Sequence, residues 1–295
     1  MKLHPAVIPA IDWKRAEHLI ELALSEDLDV AGDTTTISVI PAETRCKAVM
    51  RCKTDDMVVA GLPVAAKVFE IVDGDVQFKA LKQEGELCAK GDIIAEIYGT
   101  ARSILTAERT ALNFIQRLCG VASTSRRYAD ALKGTGCVVL DTRKTTPGYR
   151  NLEKYAVAVG GAVNHRIGLF DMVMIKDNHR ELAMLEGLDG IRLAVERARE
   201  KFPDLAVEVE ADTLDEVKAA LAAKADCIML DNMDNETMLE AVKIVNGAAE
   251  LEASGGITLE RLPSIGKLGI DYVSSGALTH SVKAADISLD VEVIQ

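Results

Sequence analysis

The sequence predicts an α/β protein: an incomplete, TIM-like (β/α) barrel preceded by an α+β domain with a hammerhead-like, β-rich stretch. Three observations carry that prediction. After Lys176, short apolar runs alternate with helical ones, which implies a parallel sheet with right-handed crossovers. Two earlier runs, Val138–Leu140 and Met172–Ile175, are short, uninterrupted and bounded by polar residues, the texture of strands buried on both faces. The polar residues just beyond those runs are cations: Arg143 and Lys144 after the first, Lys176 after the second, with His165 and Arg166 between. The C-terminal ends of buried parallel strands are where α/β enzymes bind anionic ligands.

Taken in order, the chain opens with a helix over Trp13–Leu24, whose apolar positions Ala16, Leu19, Ile20, Ala23 and Leu24 have helical spacing. From Cys46 to Tyr98 the texture is β-rich, with strands expected at Cys46–Arg51, Met57–Ala60, Val76–Leu81 and Ile93–Tyr98 and a helix at Val64–Ile71. The run Glu84–Ile97 resembles the hammerhead turn of lipoyl and biotinyl carriers. It lacks their lysine-presenting hairpin, so a structural β-turn is the better reading. The longest helical pattern, Thr106–Lys133, is opened by Thr106, carries Leu112, Ile115, Leu118 and Val121 inward, and has a candidate break at Gly120. Gly134-Thr-Gly-Cys precedes a strand rather than following one, which excludes a dinucleotide-binding turn.

Helices at Arg180–Lys201, Leu214–Ala223, Asn235–Val245 and Leu259–Leu268 then lead to strands at Leu205–Glu210, Cys227–Asp231, Leu251–Ser254 and Tyr272–Gly276. About six barrel strands are visible, against the eight of a complete barrel. Each of the last four ends in a polar or small residue: Glu210, Asp231, Ser254-Gly255-Gly256 and Ser275-Gly276. The tail after His280 is too short for a domain and is expected to rejoin the N-terminal part. The domains are therefore expected at 1–113 with 281–295, and at 114–280.

Composition narrows the function. The 295 residues are 48% hydrophobic and 27% charged, which suits a globular protein with a large core. A formal charge of −12 argues against a nucleic-acid partner and makes a local cluster of five cations more informative. Six scattered cysteines without a C-x-x-C pair read as buried thiols, not disulfides or a zinc site. No run approaches membrane-spanning length and no long apolar leader region is visible, so a cytoplasmic protein without a membrane partner is expected.

The runs Asp141-Thr-Arg-Lys-Thr-Thr-Pro-Gly148, Asn164-His-Arg-Ile-Gly-Leu169 and Ile175-Lys-Asp-Asn-His179 resemble the quinolinate phosphoribosyltransferase family. Glu26-Asp-Leu with Gly32-Asp-Thr-Thr, and Ala107-Glu-Arg-Thr-Ala-Leu-Asn113, extend the likeness over nearly the whole chain. The resemblance implies transfer of phosphoribosyl from phosphoribosyl diphosphate to quinolinate, then decarboxylation to nicotinate mononucleotide. It implies a quinolinate pocket lined by Arg143, His165, Arg166 and an Arg109 reaching in from a neighbouring subunit, with Thr142, Lys144 and Lys176 nearby. Lys144, Lys176, Glu210 and Asp231 are then the catalytic set, and Ser254, Gly255, Gly256, Ser275 and Gly276 the phosphate loops. Mg2+ is expected with the diphosphate, held mainly by substrate near Glu210 and Asp231, in a homodimer or larger homo-oligomer. Two alternatives remain open here: a paralogue acting on another pyridine or azole acid, and a non-catalytic phosphate-ligand barrel, which has no need of Glu210 and Asp231 beside the cations.

Overall fold

The structure, a computed structural model, describes residues 4, 6–185 and 187–293. Its helices are α1 (Trp13–Leu28), α2 (Thr34–Val39), α3 (Leu62–Val72), α4 (Ala101–Ala131), α5 (Arg150–Val159), α6 (Asp177–Leu182), α7 (Gly187–Lys201), α8 (Leu214–Ala222), α9 (Asn235–Val245) and α10 (Leu262–Ile265). Its strands are β1 (Arg45–Cys52), β2 (Met57–Val58), β3 (Gln77–Ala80), β4 (Leu87–Cys88), β5 (Ile93–Thr100), β6 (Val138–Leu140), β7 (Val173–Ile175), β8 (Val207–Ala211), β9 (Cys227–Asp231), β10 (Glu250–Ser254), β11 (Tyr272–Ser274) and β12 (Ile287–Val293). No helix among the described residues is long and apolar enough to cross a membrane.

Two compact units share the chain. One takes Ile8–Arg126, Thr146–Gly161 and the described residues from Thr279 onward; the other takes Arg127–Thr145, Ala162–Leu278 and the described residues before Ile8. The division passes through α4 between Arg126 and Arg127, beyond residue 113, and α5 returns to the first unit as Thr146–Gly161.

The first of these units is built on a four-stranded antiparallel sheet in the order β12-β1-β5-β3. On β1, Cys46, Ala48, Met50 and Cys52 are buried and the intervening residues are not, the period-two signature of a half-covered strand. The C-terminal strand pairs with β1 along its length, from Cys46 opposite Val293 to Cys52 opposite Ile287. Helix α4 begins at Ala101, not at the expected Thr106. Thr100 supplies the N-terminal cap, its hydroxyl accepting the Ser103 N–H at 3.2 Å, while Thr106 hydrogen-bonds Asp33. Nor does Gly120 break the helix. A Cβ there would lie 2.4 Å from the carbonyl oxygen of Lys283, so glycine is required by the close passage of the C-terminal segment.

The other unit is the incomplete (β/α) barrel. Its six parallel strands run in the order β6-β11-β10-β9-β8-β7, and Val163 adds a single parallel bridge outside β6. Among the described pairings none joins Val163 to β7, so residues 164–172 cross from one edge of the sheet to the other. The expected helix over Arg180–Lys201 is two helices, α6 and α7. Ala183 N–H bonds back to His179 and Met184 adopts a left-handed φ of 55°, which ends the first. The expected Leu259–Leu268 helix shrinks to α10, with Pro263 at its start removing a backbone donor. All six cysteines are buried free thiols.

Candidate active site

Register places the candidate site on one face of the parallel sheet. Glu210, Met229, Glu252, Tyr272 and Val138 stand side by side across five strands. Two residues further along each strand, Asp231 pairs with Ser254 and Ser274 pairs with Leu140 on the same face. The alternate positions, Val207, Val209, Ala211, Ile228, Leu230, Leu251, Ala253 and Val273, are buried and apolar. Successive side chains of a strand point to opposite faces, so one face carries the packing and the other is free to carry charge.

At the C-terminal end of that face lies a cavity of about 350 Å³ lined by Thr142, Arg143, Lys144, His165, Arg166, Met174, Lys176, Met229, Glu252, Ser254 and Ser274. Its cations are placed by the loops. Buried Asp141, directly after β6, accepts the backbone N–H of His165 at 2.8 Å and ties the crossing segment to the strand end. The Arg166 guanidinium donates to the Met172 carbonyl and meets the Met174 sulfur, both at 3.3 Å. Asp171 caps the same segment by accepting from the N–H groups of Ile167 and Gly168. Burial and the neighbouring charge of Arg143 hold the Arg166 guanidinium below its ordinary pKa. Lys176, at the end of β7, forms an ion pair with Glu210, and the Thr142 hydroxyl accepts the Lys144 N–H at 3.0 Å.

Below the cations sits a buried acid–imidazole cluster. The His165 Nε2 lies 3.3 Å from Glu208 and 3.2 Å from Glu252, both carboxylates being fully buried. The backbone N–H of Arg166 donates to His165 Nδ1 at 2.7 Å, which puts the ring proton on Nε2, facing the two acids. Burial opposes a charged ring and Glu252 and Glu208 favour it, the balance raising the imidazole above its ordinary value, while the Arg166 N–H on Nδ1 leaves no room for the second proton. Burial and the charge of Glu252 push Glu208 up to about 6. His4 stacks against His165 at 4.6 Å between ring centroids. Among the described residues, His4, His165 and Glu252 form the one group of three side chains close enough to share a metal ion. The proton that Arg166 keeps on Nε2 makes His165 a hydrogen-bond donor there and not a ligand.

Seven sequence-predicted site residues line the cavity: Thr142, Arg143, Lys144, His165, Arg166, Lys176 and Ser254. Glu210 joins them through Lys176, and Asp231 is the register partner of Ser254. Gly255 and Gly256 follow β10 with left-handed φ of 81° and 60°. Ser275 donates its N–H to the Leu140 carbonyl at 3.0 Å, and Gly276 opens a 3-10 turn over Gly276–Leu278. Arg109 is not among the lining residues. It is exposed on α4 in the other unit, in a separate cleft with Glu26, Asp27 and Asn113. The sequence reading missed Asp141, Glu208 and Glu252. The alternations Val-Glu-Val-Glu-Ala in β8 and Glu-Leu-Glu-Ala-Ser in β10 held the signal for the two glutamates, since a strand buried on both faces has no solvent to receive an acid.

Comparison with known proteins agrees with this geometry. The family model described as "Quinolinate phosphoribosyl transferase, N-terminal domain" matches residues 33–119, and its C-terminal counterpart matches residues 121–290. A chloroplastic nicotinate-nucleotide pyrophosphorylase [carboxylating] of Oryza sativa subsp. japonica is 43% identical, over 98% of this chain and 80% of that protein. A probable nicotinate-nucleotide pyrophosphorylase [carboxylating] of Bacillus subtilis is 42% identical over 88% of each. The solved nicotinate-nucleotide pyrophosphorylase from Francisella tularensis superposes with a TM-score of 0.90 at 38% identity, over 97% of this chain and 99% of that one. With both domain models matched in order and the cation-lined cavity at the strand ends, the chain belongs to the quinolinate phosphoribosyltransferase family.

Proposed function

We propose that this protein transfers the phosphoribosyl group of phosphoribosyl diphosphate to the ring nitrogen of quinolinate, then releases the 2-carboxylate as carbon dioxide, giving nicotinate mononucleotide and diphosphate for de novo NAD synthesis. The observation that carries the reading is the pairing of Arg143 and Arg166 over one cavity in a chain of net charge −12. Quinolinate is a planar dianion. Guanidinium forks bind carboxylates with two parallel hydrogen bonds, and a dianion removes the mutual repulsion of the two arginines.

Arg143, Lys144 and Arg166 hold the pyridine dicarboxylate, with His165 lining the cavity but engaged through both ring nitrogens by the Arg166 N–H and the two buried glutamates. In the first step the ring nitrogen bonds to the ribose C1, and the bond from C1 to the diphosphate oxygen breaks with its electron pair leaving on diphosphate. Positive charge develops on the ribose. Glu210 and Asp231, on the sheet face beside the cavity, stabilise it, and the ion pair with Lys176 orients the Glu210 carboxylate. The Gly255-Gly256 turn after β10 offers backbone donors to the 5-phosphate, beside Ser275-Gly276 at the end of the neighbouring strand β11. In the second step the bond from C2 to the carboxylate breaks, the electron pair stays at C2 beside the cationic nitrogen, and C2 takes a proton.

Glu210 and Asp231 would meet a Mg2+ ion carried by phosphoribosyl diphosphate. One oxygen of Glu210 is engaged by Lys176 and one of Asp231 by Asn232, which suits a hard cation that keeps most of its waters and takes few protein ligands. That ion supplies charge neutralisation at the leaving diphosphate. The protein acts as a cytoplasmic homodimer in which the exposed Arg109 of one chain completes the partner's quinolinate pocket. The deciding experiment incubates the protein with quinolinate carrying a labelled 2-carboxylate, phosphoribosyl diphosphate and Mg2+, and measures released label. A non-catalytic binder releases none. A paralogue releases none from quinolinate yet yields diphosphate with another pyridine or azole acid.

A further inference from the structure

We propose that Asn232 is a positioning residue for phosphoribosyl diphosphate, aiming the Asp231 carboxylate with its side chain while its backbone fastens the end of β9 to the glycine loop after β10. The inference deepens the functional reading above and rests on it. The Asn232 side-chain amide donates to Asp231 Oδ2 at 2.6 Å, and its backbone N–H donates to the Ser254 carbonyl at 2.9 Å. A carboxylate only accepts, so the amide must turn its NH2 toward Asp231 and its oxygen away. That oxygen faces Gly255: a Cβ built on Gly255 would lie 2.1 Å from Asn232 Oδ1 and 3.0 Å from the Asn232 backbone nitrogen. One residue thus touches both the carboxylate assigned to the ribose and the loop assigned to the 5-phosphate.

The residue type fits the task. Asn232 sits at a left-handed φ of 54°, a region that side chains other than glycine, asparagine and aspartate seldom enter. Glycine there brings no donor, and aspartate sets a second negative charge against Asp231. Asparagine supplies the backbone shape and the neutral donor together. Arg261 closes the arrangement from the other side, donating to the Met233 carbonyl at 2.7 Å and to the Gly255 carbonyl at 3.4 Å. Residues 231–233 and 254–255 are therefore held as one piece by bonds from Asn232 and Arg261. Engaging Oδ2 restricts the rotation of the Asp231 carboxylate.

The test uses Asn232→Gly, which keeps the backbone preference and deletes the amide, with Asn232→Asp as the like-charge variant. Steady-state kinetics should show the KM for phosphoribosyl diphosphate, and the Mg2+ concentration giving half-maximal rate, raised roughly 10- to 100-fold in Asn232→Gly. The aspartate variant should be worse. The KM for quinolinate and the unfolding temperature should stay at the wild-type values, a split that a structural role does not produce. An unchanged phosphoribosyl diphosphate KM overturns the inference, as does an equal rise in both KM values with a lower unfolding temperature. If the wild-type protein forms no nicotinate mononucleotide, the functional reading fails by itself. Calorimetric titration of phosphoribosyl diphosphate with Mg2+ into wild type and Asn232→Gly then decides the inference alone, equal affinities overturning it.

Discussion

Replacing Lys176 by methionine separates two jobs that the structure gives to one side chain. Its ammonium pairs with Glu210, whose side chain is only 11% exposed, while Lys176 itself is 39% exposed. Fully exposed ion pairs are worth about 0.2–1 kcal/mol, whereas removing one partner of a buried pair costs about 3–5 kcal/mol because the other charge is left without solvation. This pair lies between those limits, so Lys176→Met should destabilise the protein by roughly 2 kcal/mol, or about 4–8 °C in unfolding temperature for a unit of this size. Adding Glu210→Gln removes the stranded charge, and the double variant should recover most of that loss. Turnover should not recover, since neither the cation nor the carboxylate remains. Circular-dichroism melting and product formation, measured on both single variants and the double, complete a mutant cycle. If the double variant is no more stable than Lys176→Met, Lys176 does not hold the Glu210 charge. If turnover returns with stability, Lys176 serves the fold alone.

Other outcomes follow from the same geometry. Glu208 is pushed from 4.5 up to about 6 by burial and by Glu252; a raised folded pKa gives stability that is complete below pH 4.5 and is lost as pH rises through 6. Glu208→Gln should therefore flatten the stability profile between those values, and a profile unchanged by the substitution would place the titration elsewhere. Gly255→Ala must bring a Cβ into the Asn232 amide at a φ of 81°, with a left-handed backbone cost of roughly 1–2 kcal/mol. It should raise the phosphoribosyl diphosphate KM while calorimetry shows quinolinate binding intact. Arg109→Ala and Arg166→Ala should each be inactive alone, yet regain activity when unfolded and refolded together, because in the proposed dimer both lesions of a mixed pair fall in one site and leave the other whole. A mixture that stays inactive while refolded wild type recovers assigns Arg109 to its own chain.

Much of the site was legible because strand ends expose their chemistry in the sequence. A run of apolar residues that stops at Arg143, Lys176, Glu210 or Asp231 marks where a buried strand meets solvent, and those residues lie at the cavity or beside it. What escaped lay deeper. Glu208 and Glu252 sit inside strands whose other face is packed, and an acid in such a run reads as a solvated position until a buried imidazole is known to face it. The start of α4 escaped for a local reason: Thr100 and Thr106 are both plausible caps, and only the Ser103 N–H decides between them. Helix α5 sits in sequence inside the run of motifs from Cys137 to His179, yet it packs in the unit of the antiparallel sheet, with Glu153 fully buried and paired to Arg117. Linear adjacency of motifs does not reveal such an excursion.

The pairing of β12 with β1 has a consequence for synthesis. Strand β1 is complete once Cys52 has been made, but one of its two neighbours is encoded at residues 287–293, near the end of the sequence. A nascent chain therefore carries β1 with one hydrogen-bonding edge unfilled while the whole parallel sheet is still being translated. Unfilled edges of half-apolar strands are templates for unwanted pairing with other chains. Ribosome-bound chains arrested before Ile287 should accordingly bind holding chaperones, and a peptide spanning residues 287–293 supplied in trans should release them.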